Sequence, residues 1–281
     1  MHVALATAAA AGRDLDEPLL VEALRRAAYP EVVAWHDAAV DWGRYDRVVL
    51  RSTWDYADRR AEFLAWTESV ARRTRLLNPP EIVRANTDKH YLAGLDWVGV
   101  PTVPTEFAAP GEPLELPREG SFVVKPAVSN GSRDTMRCAQ SDRDVAAALA
   151  AKLHGQDRTV MVQPFIDSVD ERGETAMVHL GGRWSHAIGK DPILSEGTEP
   201  SDGLFAEETL TPRTPSDAEV AVASAALDAL DASDLVYARV DLVAGEDGAP
   251  LALEVELTEP SLFLREAPGA ADRLARAILT S

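Results

Sequence analysis

One cysteine, Cys138, stands in 281 residues. No internal disulfide can form, and a zinc site built from several thiolates is excluded. A lone nucleophile is the one reactive role open to Cys138. Basic charge is also scarce, with 28 Lys and Arg against 46 Asp and Glu, a formal charge of −18 spread along the chain. A nucleic-acid backbone or an anionic membrane needs a basic surface, so the charge balance argues against both as partners. It does not argue against a small anionic ligand held by a few local cations. Long apolar runs are missing: no segment reaches the ~18 residues of a membrane span. The N-terminal MHVALATAAAAG has no Lys or Arg before its short apolar part, so it reads as a buried strand running into a loop rather than a signal peptide. A cytoplasmic protein is expected. There is neither an internal repeat nor a low-complexity tract.

What is present is enough chain, 46% of it hydrophobic, for one large or two to three small domains with real cores. HVALAT (2–7), EVVAWHD (31–37), DRVVLRST (46–53) and RLLNPP (75–80) read as strands, with helices at 17–28 and 59–73 between them. The alternation predicts a small α/β layer around a parallel sheet. A helix then starts near Thr87. Strands follow in TVPTEF, SFVVKPA, TMRCAQ and TVMVQPFI, with a helix at 142–153. TAMVHLGGRWSHAIGK predicts a hairpin turning at Gly181-Gly182. The stretch 191–212 has no regular period, and so long a loop predicts a lid or binding loop. A helix at 216–230, strands at 235–244 and 250–257, and a helix at 269–279 complete the chain.

YARVDLVAGEDGAPLALEVELTEPS (237–261) holds the most informative chemistry. A two-residue turn at Asp247-Gly248 would pair Asp241 with Glu254 and Arg239 with Glu256. All four then share one face, with Leu242, Leu253, Val255 and Leu257 on the other. Three carboxylates on one face repel unless something positive sits among them, and oxygen-only ligands point to magnesium shared with a nucleotide's phosphates. The alternative is a solvated face neutralised by Arg239 and surface lysines. Lys125 ends an apolar strand beside the small, polar loop SNGSRDT, which would let backbone N–H groups approach phosphate. Lys89 opens a helix in NTDKHYL. Gln163-Pro164-Phe165-Ile166 ends a strand where proline would leave backbone groups free for an adenine edge.

In this order, NTDK, FVVKP, MVQPFI, Lys190, VDLV and LEVELTEPS resemble the ATP-grasp superfamily, above all its glutathione-synthetase branch. The resemblance covers about residues 46 to 270 and implies α/β and α+β architecture: an N-terminal Rossmann-like domain (1–84) followed by ATP-grasp subdomains at 85–160 and 161–281. It implies that Lys89, Lys125 and the loop Ser129-Asn130-Gly131-Ser132 contact ATP phosphates. Gln163, Phe165 and Ile166 would read adenine, Glu174 the ribose, and Lys190 the γ-phosphate. Asp241, Glu254 and Glu256 would hold Mg2+, two ions in the family, with Mn2+ as a substitute. Two departures stand out: Glu256 replaces a frequent Asn, and the phosphate loop has one glycine.

RSTWDY, LNPP and NTDK together are similar to a narrower group, the O-ureido-serine cyclo-ligases of D-cycloserine biosynthesis and their relatives. That likeness implies ADP-forming activation of an amino-acid carboxylate as an acylphosphate, then attack by a nitrogen, by ring closure in the favoured version. An intermolecular carboxylate–amine ligase and a non-catalytic ATP-binding protein are the alternatives. Arg239 would steady the acylphosphate or carboxylate, with Ser261 beside it. Arg51, following a strand, would take the substrate carboxylate in a bidentate pair. Thr53 and Asp55 would fix its ammonium, and Trp54 or Tyr56 would wall the site. In the alternative, Trp54 and Tyr56 pack on the 59–73 helix while Arg51 pairs with Asp55. The expected partner is a small amino-acid-like molecule, and a homo-oligomer is left open.

Overall fold

A computed structural model of the protein describes residues 1–8, 14–192 and 209–281, so most of the expected lid at 191–212 lies outside the described residues. The first sheet contains β1 (His2–Thr7), β2 (Tyr29–Ala34), β3 (Arg47–Ser52) and β4 (Arg75–Leu77), all parallel in the order β2-β1-β3-β4. Parallel neighbours need crossovers, which α1 (Glu17–Arg25) and α2 (Arg60–Ala71) supply around β1 and β3. Strand alternation splits the apolar residues between two cores. Val3, Leu5 and Val49 face one core, while Ala4, Ala6, Val48 and Leu50 face Trp35 and Phe63 in the other.

LNPP does more than stop β4. Pro80 opens a helix, α3 (Pro80–Asn86), where its fixed φ and missing N–H cost nothing. Asn78 takes a left-handed φ of 61° and donates to the carbonyls of Tyr237 and Leu257. The next helix, α4 (Tyr91–Trp97), begins later than its sequence suggests. Lys89 therefore lies in the connection, its N–H held by the Ala127 carbonyl.

The second sheet is antiparallel, β5 (Glu106–Ala108), β6 (Phe122–Pro126), β7 (Met136–Cys138) and β8 (Val160–Pro164) in the order β5-β8-β6-β7. It runs to Pro164, past the boundary expected at 160. α5 (Arg143–His154) covers one face with Ala146, Leu149 and Leu153. A short helix, α6 (Ser168–Arg172), leads to the third sheet.

That sheet contains β9 (Glu174–Leu180), β10 (Arg183–Lys190), β11 (Leu210–Arg213), β12 (Tyr237–Ala244) and β13 (Pro250–Glu256), ordered β11-β10-β9-β12-β13. Met177, Val240, Leu242 and Val255 on one face pack with α4 and α7 (Asp217–Ala229). The other face carries Ala176, Val178 and Ile188 against α8 (Ala270–Thr280) and the first sheet. Charged residues of β9, β10, β12 and β13 share that second face.

The β12–β13 hairpin reaches the expected pairing by an unexpected route. Gly245 donates to Ala249 at 2.8 Å, Gly248 donates to Gly245 at 2.9 Å, and Gly248 has φ 80°. The loop is therefore three residues, Glu246 to Gly248, not the two-residue turn the sequence suggested. This shifts the register by one, giving Leu242 opposite Ala252. A bulge at Leu253 then shifts it back, so Asp241 opposes Glu254 and Arg239 opposes Glu256. Leu253 consequently leaves the core face assigned to it above and joins Phe165, Ile166, Val169 and Val243.

Candidate active site

A cleft lies between the second and third sheets, closed at one end by the loop after β3. Its composition changes along its length. Val123, Phe165, Ile166, Val169, Val243 and Leu253 make an apolar slot. Lys89, Lys125, Glu174, Lys190, Asp241 and Glu254 form a charged middle. Trp54, Tyr56, Asn130, Glu259, Ser261 and Phe263 line the far end, beside Arg239 and Glu256.

The charged middle is an ion-pair network. Lys190 Nζ lies 2.7 Å from Glu174 and 2.9 Å from Asp241. Arg239 Nε donates to Asp241 Oδ1 at 2.8 Å, Nη1 donates to the Ser261 carbonyl at 3.0 Å, and Nη2 also donates to Glu256. Lys89 Nζ is 3.1 Å from Glu254 and 2.9 Å from the Ser129 carbonyl, which ties β13 to the phosphate-type loop. Burial would raise the Asp241 carboxyl, but Arg239 and Lys190 pull it down to about 2. Glu254 is likewise lowered despite burial, by Lys89 and Lys125. Burial, with Glu254 and Asp241 nearby, pushes Glu256 up to about 7 although Arg239 opposes it. Burial also lowers the Lys125 ammonium.

Gly173 positions Lys190. Its φ of 65° belongs to glycine, and a Cβ there would come within 2.1 Å of the Lys190 carbonyl oxygen. Tyr91 fixes β13 by exchanging hydrogen bonds with the Val255 carbonyl and N–H at 2.9 and 3.0 Å. Asn86 does the same at Val255 and Leu257.

Among the described residues, no three of His, Cys, Asp and Glu converge as a ready ion cage. Asp241, Glu254 and Glu256 are adjacent, but Lys89, Lys190 and Arg239 are paired into them. The donor set still suits magnesium, which takes one or two carboxylates and completes its shell with phosphate and water. Asp241, held ionised and oxygen-only, and Glu254 are the residues that would hold such an ion.

The sequence-predicted residues separate into two groups. Lys89, Lys125, the 129–132 loop, Gln163, Phe165, Ile166, Glu174, Lys190, Arg239, Asp241, Glu254, Glu256, Ser261, Trp54 and Tyr56 all line the cleft. Arg51, Thr53 and Asp55 do not. Arg51 is 1% exposed, with Nη2 3.1 Å from Asp14 and Nη1 3.2 Å from the Pro260 carbonyl, so it is committed away from a substrate carboxylate. Thr53 is fully buried. Asp55 accepts from Trp35 Nε1 at 2.7 Å, so neither it nor Thr53 meets the ammonium role expected of them. Nor does Arg51 pair with Asp55, as the alternative had it. Tyr56 does stack on Phe63 of α2, 5.1 Å between centroids, while still reaching the cleft. Of the backbone groups beside Pro164 expected to be free for adenine, the Phe165 N–H donates to the Ser121 carbonyl at 2.8 Å. Gln163 Nε2 donates to Thr105 at 2.9 Å. Burial raises the Cys138 thiol to about 11, so it is no nucleophile near neutral pH.

Glu259 was assigned no role above, although it stands in the same LTEPS stretch. It is 8% exposed and faces the cleft beside Trp54 and Asn130. The signal was there in outline, a third glutamate on the 254–259 segment, but its direction depended on how the chain leaves β13.

Residues 3–78 match the family described as the N-terminal domain of D-cycloserine synthetase DcsG. The chain is 41% identical over 283 residues to the cycloserine biosynthesis protein DcsG of Streptomyces lavendulae, covering 94% of this chain and 93% of that one. A crystal structure of D-cycloserine synthetase DcsG superposes with a TM-score of 0.89 at 39% identity, over 100% of this chain and 99% of that one. The D-alanine–D-alanine ligase of Bacillus anthracis, at 16% identity and TM-score 0.70 over 100% and 96% of the two chains, shares the fold.

Proposed function

This chain belongs to the D-cycloserine synthetase family of ATP-grasp ligases, and from that premise we propose how its cleft works. It is an ATP-dependent carbon–nitrogen ligase making a cycloserine-type product. The substrate is O-ureido-serine or a close relative, closed into a ring within one molecule. One observation supports this most: a single cleft grades from apolar slot to charged middle to an aromatic, polar end. That sequence of surfaces suits adenine, phosphates and a small zwitterion in turn.

In this reading the slot of Phe165, Ile166 and Leu253 takes adenine, with Gln163 at its edge. Lys89, Lys125 and Lys190 hold the phosphates, and Asp241 and Glu254 hold magnesium, which supplies charge neutralisation when bound. The substrate carboxylate attacks the γ-phosphorus; ADP leaves and an acylphosphate forms. The oxygen-bound nitrogen of the ureido group then adds to the carbonyl carbon and gives up its proton, phosphate departs with the C–O electron pair, and water releases the ring's carbamoyl group as CO2 and ammonia to leave the cycloserine-type product. Arg239, fixed by Asp241 and Glu256, presents its guanidinium beside Ser261 to the carboxylate and to the charge that develops on it. Trp54 and Phe263 wall that end from water. Arg51 acts indirectly, by holding Pro260 and thus the 259–261 segment.

Hydroxylamine trapping with Mg-ATP tests the reading. O-ureido-D-serine is expected to yield a hydroxamate with one ADP per trapped acyl group, and without hydroxylamine a single-molecule cyclised product by mass. ATP binding with no ADP across an amino-acid panel would replace the reading with a non-catalytic one. A product carrying two substrate masses would make the protein an intermolecular ligase.

A further inference from the structure

The far end of the cleft contains a carboxyl group and lone pairs that the nucleotide chemistry does not use. Glu259 is 8% exposed and lines the cleft with Trp54, Tyr56 and Asn130. Three of the cleft's cations are ion-paired with other carboxylates, Lys89 with Glu254, Lys190 with Glu174 and Asp241, and Arg239 with Asp241 and Glu256, although Lys89 also lies near enough to Glu259 to favour its ionised form. Asn130 is held by its Nδ2, which donates to the Trp54 carbonyl at 2.6 Å, and its amide also hydrogen-bonds the Glu259 carboxyl and favours its ionised form. Its Oδ1 is buried and accepts no hydrogen bond. Trp54 Nε1 donates to the backbone carbonyl of Glu259 at 3.3 Å, which anchors the main chain of that cleft-lining residue.

Once ionised by an incoming cation, a buried carboxyl beside an unused amide oxygen and two aromatic rings is an acceptor-only arrangement. It is complementary to a compact cation with several N–H donors. Resting on the ligase reading above, we infer that Glu259 and Asn130 Oδ1 bind the α-ammonium of the amino-acid substrate, with Trp54 and Tyr56 beside it. This is the role expected of Thr53 and Asp55, which the structure places outside the cleft. The ammonium is two bonds from the carboxyl carbon, so clamping it fixes the carboxylate against Arg239 at the charged middle. The state of Glu259 before substrate arrives agrees: burial, with Glu256 nearby, pushes its carboxyl up to about 8, the condition of a site waiting for positive charge.

Two substrates and one substitution test this. The substrates are O-ureido-D-serine and the same molecule lacking the α-amino group, 3-(ureidooxy)propanoate. With the unaltered enzyme, the deamino compound is expected to compete at least ~10-fold more weakly than the amino acid, since it leaves Glu259 and Asn130 unpaired. Glu259→Gln is expected to lower kcat/KM for the amino acid by ~10²-fold through KM, to leave the KM of ATP within about twofold, and to shrink the discrimination between the two compounds to a few-fold. Equal competition by both compounds on the unaltered enzyme overturns the inference whether or not the variant folds. So does unchanged discrimination in Glu259→Gln, or a loss confined to magnesium dependence. If neither compound yields ADP or a hydroxamate with the unaltered enzyme, the ligase reading itself has failed, which is a different result.

Discussion

Arg51 and Asp14 form a buried ion pair at 3.1 Å, with Arg51 also bonded to the Pro260 carbonyl, so the cation of RSTWDY supports the cleft from behind. Breaking one side leaves a buried charge with no partner, which costs about 3–5 kcal/mol. Asp14→Asn and Arg51→Met should each lower the unfolding free energy by that order in urea titrations. The Asp14→Leu, Arg51→Met double variant should be milder than the sum. A cycle with fully additive losses would show that the pair is not coupled.

Lys190 and Asp241, 2.9 Å apart, sit where the charges of the reaction are handled. Asp241→Asn removes a cation-binding oxygen and a partner of two cations together. Its ADP formation should fall by ~10³-fold or more, a loss in the range found for preorganised electrostatic contacts. Excess magnesium should recover little of it. Full activity in steady-state ADP release would refute the assignment of Asp241.

Gly173→Ala asks a residue with a Cβ to adopt φ 65° with that carbon 2.1 Å from the Lys190 carbonyl oxygen. Strain of this kind costs about 1–3 kcal/mol. The melting temperature should drop by several degrees, and kcat should fall more than stability implies because the end of β10 moves. An unchanged kcat alongside a lowered melting temperature would show that Gly173 serves the fold alone.

The ligand-free protein should lose stability as pH rises from about 5 to about 8.5. Glu256 and Glu259 have folded-state values raised to about 7 and about 8. Their contribution is complete below the unfolded glutamate value near 4.5 and is lost as pH climbs through the folded values. Asp241 runs the opposite way, with its value lowered to about 2, so its contribution is present at neutral pH and lost only in acid. Differential scanning calorimetry should show the melting temperature falling by ~5 °C over this interval. In Glu259→Gln the slope should be smaller. A flat profile in the unaltered protein would contradict the raised values.

Leu253→Ala removes an apolar side chain that the β13 bulge turns into the slot. The KM for ATP should rise several-fold, while the amino-acid KM moves little. Equal changes in both would place Leu253 outside the adenine-binding part.

Much of this protein was legible in its sequence because local rules govern the pieces. Period-two and helical patterns gave the parallel layer of β1 to β4 and the hairpin at Gly181-Gly182. The order of NTDK, FVVKP, MVQPFI and LEVELTEPS identified the residues that meet in one cleft. Even the pairing of Asp241 with Glu254 was readable, although the reading succeeded because a three-residue loop and a bulge offset each other. No sequence pattern announces such a compensation, since it is set by packing around Leu253. The same limit applied to RSTWDY. Arg51 has the chemistry to bind a carboxylate, and the sequence shows several carboxylates far apart in the chain. Only the tertiary fold decides that Asp14 is the one beside it, and that Trp54 and Tyr56, not Arg51, face the cleft. Residue chemistry is local and sequence carries it; which charges meet is a long-range outcome of how the sheets and loops pack.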